Sequence, residues 1–305
     1  MNFSVIIPTK DRQNILSKSL DCLKQVPGIQ DLDVIVINDS DIPVSIDSLN
    51  FPKSLRVLKN PGKGVASARN FGVSNAVHEW LIFMDDDMMV RPDTFKKLET
   101  YYSDKNAVLN VNWVYTPSMM NLAANNPFVR YLKKYRFDSM EGWSNDPNWN
   151  NEKVFEVPGV NSAFLLINKS AFLSIGGFDE KFPFAGFEDH DLSERLKKSG
   201  VKMFVDPTNV IFHNEEDRMK IENWLERKRR GAITRKVAVS KGYTHYHLQY
   251  SPAKKLVNRL VYASREQLLA ILNHWPKNKR LDSLFFIIVN RLLGAYSYAG
   301  YTQNS

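Results

Sequence analysis

The segment Trp80-Leu81-Ile82-Phe83-Met84-Asp85-Asp86-Asp87 passes in one step from an unbroken apolar run to three consecutive carboxylates. Five apolar residues without alternation fit a strand covered on both faces, and open α/β sheets bind ligands just beyond the carboxyl ends of such strands. Upstream, residues 64–76 read as a helix and 54–58 as a strand. Further back, Asp33-Val34-Ile35-Val36-Ile37 and Phe3-Ser4-Val5-Ile6-Ile7 are β-branched runs ended by turn formers, and between them Ile15, Leu16, Leu20 and Leu23 stand at helical spacing. The first hundred residues therefore alternate strand and helix. That pattern predicts an α/β fold with a Rossmann-like, mostly parallel central sheet flanked by helices.

The residues after each strand carry the chemistry. Pro8, Thr9, Lys10, Asp11 and Arg12 follow the first, Asn38, Asp39, Ser40 and Asp41 the second, and Asp85, Asp86 and Asp87 the fourth. Adjacent carboxylates repel by an amount on the order of kcal/mol unless a cation or solvent compensates. Such a density of hard oxygens suits Mg²⁺ or Mn²⁺, which keep some waters and bind through one or two carboxylates plus substrate phosphates. In an extended segment Asp85 and Asp87 point the same way and Asp86 the other. The competing reading is a solvated acidic turn leading into a helix capped by Asp93.

Four strings taken together, Val5-Ile6-Ile7-Pro8-Thr9-Lys10-Asp11-Arg12, Val34-Ile35-Val36-Ile37-Asn38-Asp39-Ser40-Asp41, Gly64-Val65-Ala66-Ser67-Ala68-Arg69-Asn70-Phe71-Gly72 and Phe83-Met84-Asp85-Asp86-Asp87, resemble a family 2 glycosyltransferase of the GT-A fold, bacterial polysaccharide type. The resemblance continues through Gly176-Gly177-Phe178-Asp179-Glu180 and Gly186-Phe187-Glu188-Asp189-His190-Asp191-Leu192 and covers roughly residues 3–213. It implies a nucleoside-diphosphate sugar donor, with UDP-sugars favoured, Mn²⁺ or Mg²⁺, and inverting transfer to a saccharide or lipid-linked acceptor. Carried over residue by residue, it implies that Pro8, Thr9 and Arg12 border the nucleotide, that Asp39 accepts from base or ribose, and that Asp85 approaches the ribose or the metal's water shell. It further implies Asp87 and His213 as metal ligands and Asp189, beside Glu188, as catalytic base. Asp86 is grouped with the donor-binding residues, and Met88 stands where the family often has another Asp.

These positions also have their own chemistry. Lys63, Gly64 and Arg69 precede or open a helix, whose N-terminal N–H groups favour phosphate. Asn70 reads equally as a structural tie. Glu188 and Asp189 stand at a helix N-terminus, where the dipole favours the anion and the neighbouring carboxylate opposes it. His213 ends the strand-like Val210-Ile211-Phe212, and its plain reading is structural.

The 305 residues, 43% hydrophobic and 24% charged, suit one large domain or a domain with an appendage and exclude a wholly disordered chain. We place a catalytic domain at 1–215 and a basic, amphipathic helical C-terminal extension at 216–305. The net charge of +8 sits in residues 218–255, where 11 Lys/Arg face 2 Asp/Glu. Trp113, Trp143, Trp149, Tyr131, Tyr135 and Phe137 lie in 113–156, read as a loop and helix insertion over the acceptor site, where tryptophan faces could stack on sugar rings although aromatic core packing is the commoner explanation. Leu256, Leu260, Val261, Leu268, Ile271 and Leu272 form one helical stripe. With the run Arg227-Lys228-Arg229-Arg230, it is read either as a peripheral face on an anionic membrane surface or as a contact with the catalytic domain or a homodimer partner. No transmembrane span is expected. Cys22 reads as a core thiol, and the N-terminus has no signal-peptide pattern, so the expected location is cytoplasmic, in contact with the inner face of the cell membrane. Two other classes remain open: a nucleotidyltransferase using the Asp-x-Asp site, and a nucleic-acid-binding protein using the basic segment, although no recognition motif supports the latter.

Overall fold

The computed structural model describes residues 2–46, 50–101 and 104–303. The chain forms two compact units, one of residues 1–116, 138–181 and 188–214, the other of 117–137, 182–187 and 215–305. Two short segments that precede residue 215 thus group with the C-terminal helices.

The first unit is built on a sheet of β1 (Phe3–Thr9), β2 (Asp33–Asn38), β3 (Leu55–Lys59), β4 (Trp80–Met84), β5 (Met88–Met89), β6 (Ala107–Tyr115), β7 (Phe155–Glu156), β8 (Phe164–Asn168) and β9 (Lys202–His213). Its order is β3-β2-β1-β4-β8-β6-β9-β5, with β7 also paired to β9. β1, β2, β3 and β4 are mutually parallel, as are β6 and β9, while β8 runs antiparallel to both of its neighbours. Every residue of β1, β2, β4 and β8 is buried, which is why their sequences show continuous apolar runs rather than alternation. The helix Gln13–Leu23 buries Ile15, Leu16, Leu20 and Leu23. Cys22 is only half-buried at the edge of this core, where burial and then Asp21 push its thiol pKa up.

The helix Gly64–Asn75 approaches β1 closely at Gly72, where an added Cβ would lie 2.3 Å from Cγ2 of Ile6. Gly72→Ala is therefore expected to lower stability by about 1–3 kcal/mol despite alanine's better helix propensity, a loss readable as a shift of the denaturant midpoint.

β9 carries a bulge. Val111 of β6 pairs with Asp206 and the next residue, Asn112, pairs with Val210, so residues 207–209 are left out of the ladder register with β6. Asp206 Oδ1 accepts from the backbone N–H groups of Thr208 (3.0 Å) and Asn209 (3.2 Å) and from Thr208 Oγ1 (2.7 Å), which holds the irregular stretch in place.

The second unit is helical, with helices Pro127–Lys134, Ile221–Ser240, Pro252–Ala263, Arg265–Asn273 and Asp282–Thr302. Tyr131 is fully buried between the rings of Phe128, Trp224 and Phe286, and its hydroxyl donates to Asn290 Oδ1 at 2.8 Å. Arg130 grips Asp282 through two bonds of 2.6 and 2.7 Å. These aromatics serve core packing because a ring of this size gains most when fully covered. Among the described residues no helix is long and apolar enough to cross a membrane.

Candidate active site

The carboxylates after β4 do not continue the strand. The chain turns at once, with Met88 N–H donating to Asp85 C=O at 3.1 Å, so alternation no longer governs the side chains. Asp85 goes one way, to Arg69, while Asp86 and Asp87 share Arg12.

Asp86 is buried and accepts from Thr9 Oγ1 at 2.7 Å and from Arg12 Nη1 at 2.5 Å. Its carbonyl accepts from Ser19 Oγ at 2.8 Å. The same Arg12 nitrogen donates to Asp87 Oδ2 at 2.9 Å. Thr9 and Arg12, expected to border a nucleotide, are thus turned toward the acidic turn, and their contacts compensate its charge. The other Asp87 oxygen lies 3.2 Å from His213 Nε2, and Asn214 N–H donates to the Asp87 carbonyl at 2.8 Å. His213 is delivered by the end of β9, beside β6, whose Trp113 and Tyr115 rings meet the imidazole edge-on at 4.9 and 5.7 Å. Of the two roles open to Trp113, stacking on sugar or packing, it takes the second and braces this histidine. One carboxylate and one imidazole brought together in this way form a donor set that suits Mn²⁺ or Mg²⁺ with the remaining positions left to water and phosphate.

A second cluster surrounds Arg69. Its Nη2 donates to Asp85 Oδ1 at 2.8 Å and its Nη1 to Glu188 Oε1 at 3.3 Å, and the guanidinium lies 5.2 Å from the centre of the Phe178 ring. Burial opposes its charge but is outweighed by Asp85, Asp189 and Glu188, so its pKa stays above the usual value. Asp189 is the counterpart. Burial first, then Glu188, push its carboxyl up to about 8, against the opposing pull of Arg69 and of a hydrogen bond from Ser162. Ser162 holds one oxygen of Asp189 twice, from Oγ at 2.5 Å and from its backbone N–H at 3.2 Å. The result is a fixed carboxylate with a proton affinity near neutrality, the property a general base requires.

A third group ties loops together. Asp39 Oδ1 accepts from Asn60 Nδ2 at 2.7 Å and from the Gly64 N–H at 3.0 Å, and Asp39 Oδ2 lies 3.3 Å from Lys10 Nζ. One of the helix donors expected to meet phosphate is therefore taken by Asp39. Pro8 is buried within β1 and Lys63 is exposed. Asn70 takes the structural role: it accepts from Phe178 N–H at 2.9 Å and donates to the Phe178 carbonyl and to Glu180, both at 2.9 Å. Arg195, paired with Asp191 at 2.6 Å, donates to the carbonyls of Ile175 and Gly177 and so fastens this loop to the helix Glu188–Lys198. Neither Ser162 nor Arg195 was legible beforehand; a lone serine in Gly159-Val160-Asn161-Ser162 has no spacing that marks it.

Comparison with known proteins places these clusters in context. The model described as Glycosyl transferase family 2 matches residues 4–164, and one described as N-terminal domain of galactosyltransferase matches residues 151–217. The pre-mycofactocin glycosyltransferase of Mycobacterium tuberculosis is 28% identical over 229 residues, which cover 74% of this chain and 45% of that protein, so the chain spans less than half the length of that relative. Among solved structures, a mannosyltransferase of Pyrobaculum calidifontis in complex with GDP-Man and Mn²⁺ aligns over 96% of this chain and 85% of its own, at 14% identity and a TM-score of 0.55. TarS 1-349 of S. aureus in complex with UDP-GlcNAc aligns over 97% of this chain and 90% of that fragment, at 14% identity and a TM-score of 0.52. At such identities the likeness to the solved structures is one of fold.

Proposed function

The chain belongs to glycosyl transferase family 2, and from that premise we propose that it transfers one sugar from a nucleoside-diphosphate donor to an acceptor hydroxyl with inversion at the anomeric carbon. The observation that carries this reading is Asp189, a carboxylate pinned by Ser162 and raised to near-neutral proton affinity beside the Arg69 cluster. Asp189 takes the proton from the acceptor hydroxyl as the oxygen attacks opposite the leaving diphosphate, so the anomeric configuration inverts. Glu188 keeps the proton affinity of Asp189 high, and Arg69 keeps both carboxylates and Asp85 in register. Asp85 is the donor-side carboxylate, with its partner Arg69 holding it for the ribose, and Asp39 with Lys10 lines the base side.

Asp87 and His213 would hold a divalent cation. When bound, Mn²⁺ or Mg²⁺ neutralises charge on the departing diphosphate. Arg12, itself paired with Asp86, orients Asp87 through its other oxygen. We favour a UDP-sugar as donor and a saccharide or lipid-linked acceptor in surface polysaccharide or glycolipid assembly, with the enzyme working peripherally at the inner face of the cell membrane.

The test is incubation with UDP- and GDP-sugars and Mn²⁺, following nucleoside diphosphate release, in parallel with nucleoside triphosphates, following pyrophosphate release. Diphosphate release that rises with acceptor is the expected result. Pyrophosphate release alone would identify a nucleotidyltransferase instead.

The raised proton affinity of Asp189 sets the sign of the pH dependence. Only the anion accepts a proton, so the rate should fall as pH drops below about 8, with an apparent pKa that belongs to the Glu188–Asp189 pair. Ser162→Ala removes a hydrogen bond that lowers this pKa, so the acidic limb should move to higher pH and the rate at pH 7 should fall, with the plateau at high pH reduced less. Coincident profiles for the two proteins would remove Ser162 from the mechanism.

A further inference from the structure

The helix Pro252–Ala263 has no buried residue, although its sequence Pro-Ala-Lys-Lys-Leu-Val-Asn-Arg-Leu-Val-Tyr-Ala is amphipathic. Leu256 and Leu260 are each 60% exposed and Val257 is 44% exposed. With spacings of four and three residues, these three side chains share one face. The helix packs on Asp282–Thr302 through its other side, where Asn258, Val261 and Tyr262 are half-buried and the Tyr262 ring meets Tyr296 edge-on at 5.2 Å, so the stripe that would normally dock a helix on its core is left in water.

The charges beside the stripe identify what covers it. Lys254, Lys255 and Arg259 are exposed, and the helix carries no acidic residue. Beyond it, through residue 281, Arg265, Lys277, Lys279 and Arg280 face a single acidic side chain, Glu266. A second copy of the chain laid symmetrically on this face would bring cations against cations. A sheet of anionic head groups would instead meet every cation with a partner and admit the leucines between them.

We propose that the helix Pro252–Ala263 is an interfacial membrane-docking helix, seating Leu256, Val257 and Leu260 among the head groups of an anionic bilayer with Lys254, Lys255 and Arg259 on phosphates. The membrane contact stands on the helix itself; it rests on the reading above only for its purpose, which is to bring the enzyme to a lipid-linked acceptor.

Flotation of the full-length protein with vesicles tests it. The protein should rise with phosphatidylcholine vesicles containing phosphatidylglycerol, stay at the bottom with phosphatidylcholine alone, and be released by salt. The double variant Leu256→Ser/Leu260→Ser should reduce the bound fraction about tenfold or more, because each exposed leucine loses its burial in the head-group region. Lys254→Glu/Lys255→Glu/Arg259→Glu should abolish binding. All these positions are exposed, and unchanged thermal unfolding of both variants verifies their folding. The proposal fails if the wild-type protein ignores anionic vesicles, if it binds neutral ones equally, or if the serine variant floats like wild type. It also fails if the helix instead supports a dimer, seen in sedimentation as a species that the serine variant loses. Nucleoside diphosphate release with a soluble acceptor, measured alongside, should be unchanged in both variants, so loss of membrane binding and failure of the glycosyltransferase reading are seen separately.

Discussion

Asp189→Asn is expected to lower kcat by about 10²–10⁴-fold while changing donor KM little, because a base acts in the transition state and contributes little to holding the nucleotide. Asparagine keeps the shape and still accepts from Ser162 Oγ, so the fixed geometry survives and only the proton acceptor is lost. The fold should tolerate the change. The carboxyl of Asp189 is raised in the folded state, so charging it costs stability as pH rises through about 8, and a neutral amide removes that cost. The measurement is kcat and donor KM at pH 8.5 together with thermal unfolding. Turnover near the wild-type rate in a folded variant would sink the assignment of Asp189 as base.

Asp87→Ala is expected to produce the second large loss, on the order of 10²–10³-fold in kcat, by removing the anionic ligand that would hold the cation where the diphosphate departs. The structural consequence is local: Asp86 still pairs with Arg12 and accepts from Thr9, so the turn after β4 keeps its two other anchors. His213→Ala should cost less, about 10–100-fold, since it removes a neutral ligand and leaves the carboxylate. Because the two side chains meet at 3.2 Å, the double variant should be little worse than Asp87→Ala alone. The distinguishing readout is the Mn²⁺ concentration needed for half-maximal rate, which should rise strongly in both single variants. An unchanged Mn²⁺ requirement would show that the cation is held elsewhere.

The parallel half of the sheet was legible because β1, β2 and β4 are covered on both faces, and that burial writes itself into the sequence as unbroken apolar runs. The acidic turn was legible as a charge density but not as a geometry. Alternation paired Asp85 with Asp87, whereas the turn sends Asp85 to Arg69 and joins Asp86 to Asp87 through Arg12. A turn begins where side-chain periodicity ends, so spacing alone could not separate them. Ser162 was invisible for a different reason: its function lies in two bonds to a residue 27 positions away, and no local pattern encodes such a contact. The aromatic stretch 113–156 left sugar stacking and core packing both open for the same reason. Trp113 belongs to the setting of His213 and Tyr131 to a helical core, destinations fixed by tertiary packing rather than by composition.

The bulge in β9 works as a phase shifter. Residues side by side in a parallel pair point to the same face, and along β6 Val111, Trp113 and Tyr115 share one. Their partners are Asp206, Ile211 and His213, so Asp206 and His213 share a face although seven residues, an odd number, separate them. In an uninterrupted strand an odd step reverses the face, and His213 would turn away from Trp113 and Tyr115. Anyone choosing positions along residues 202–213 by counting every second residue would therefore select the wrong set beyond Pro207. The three residues left out of the ladder determine which way the strand's last imidazole points.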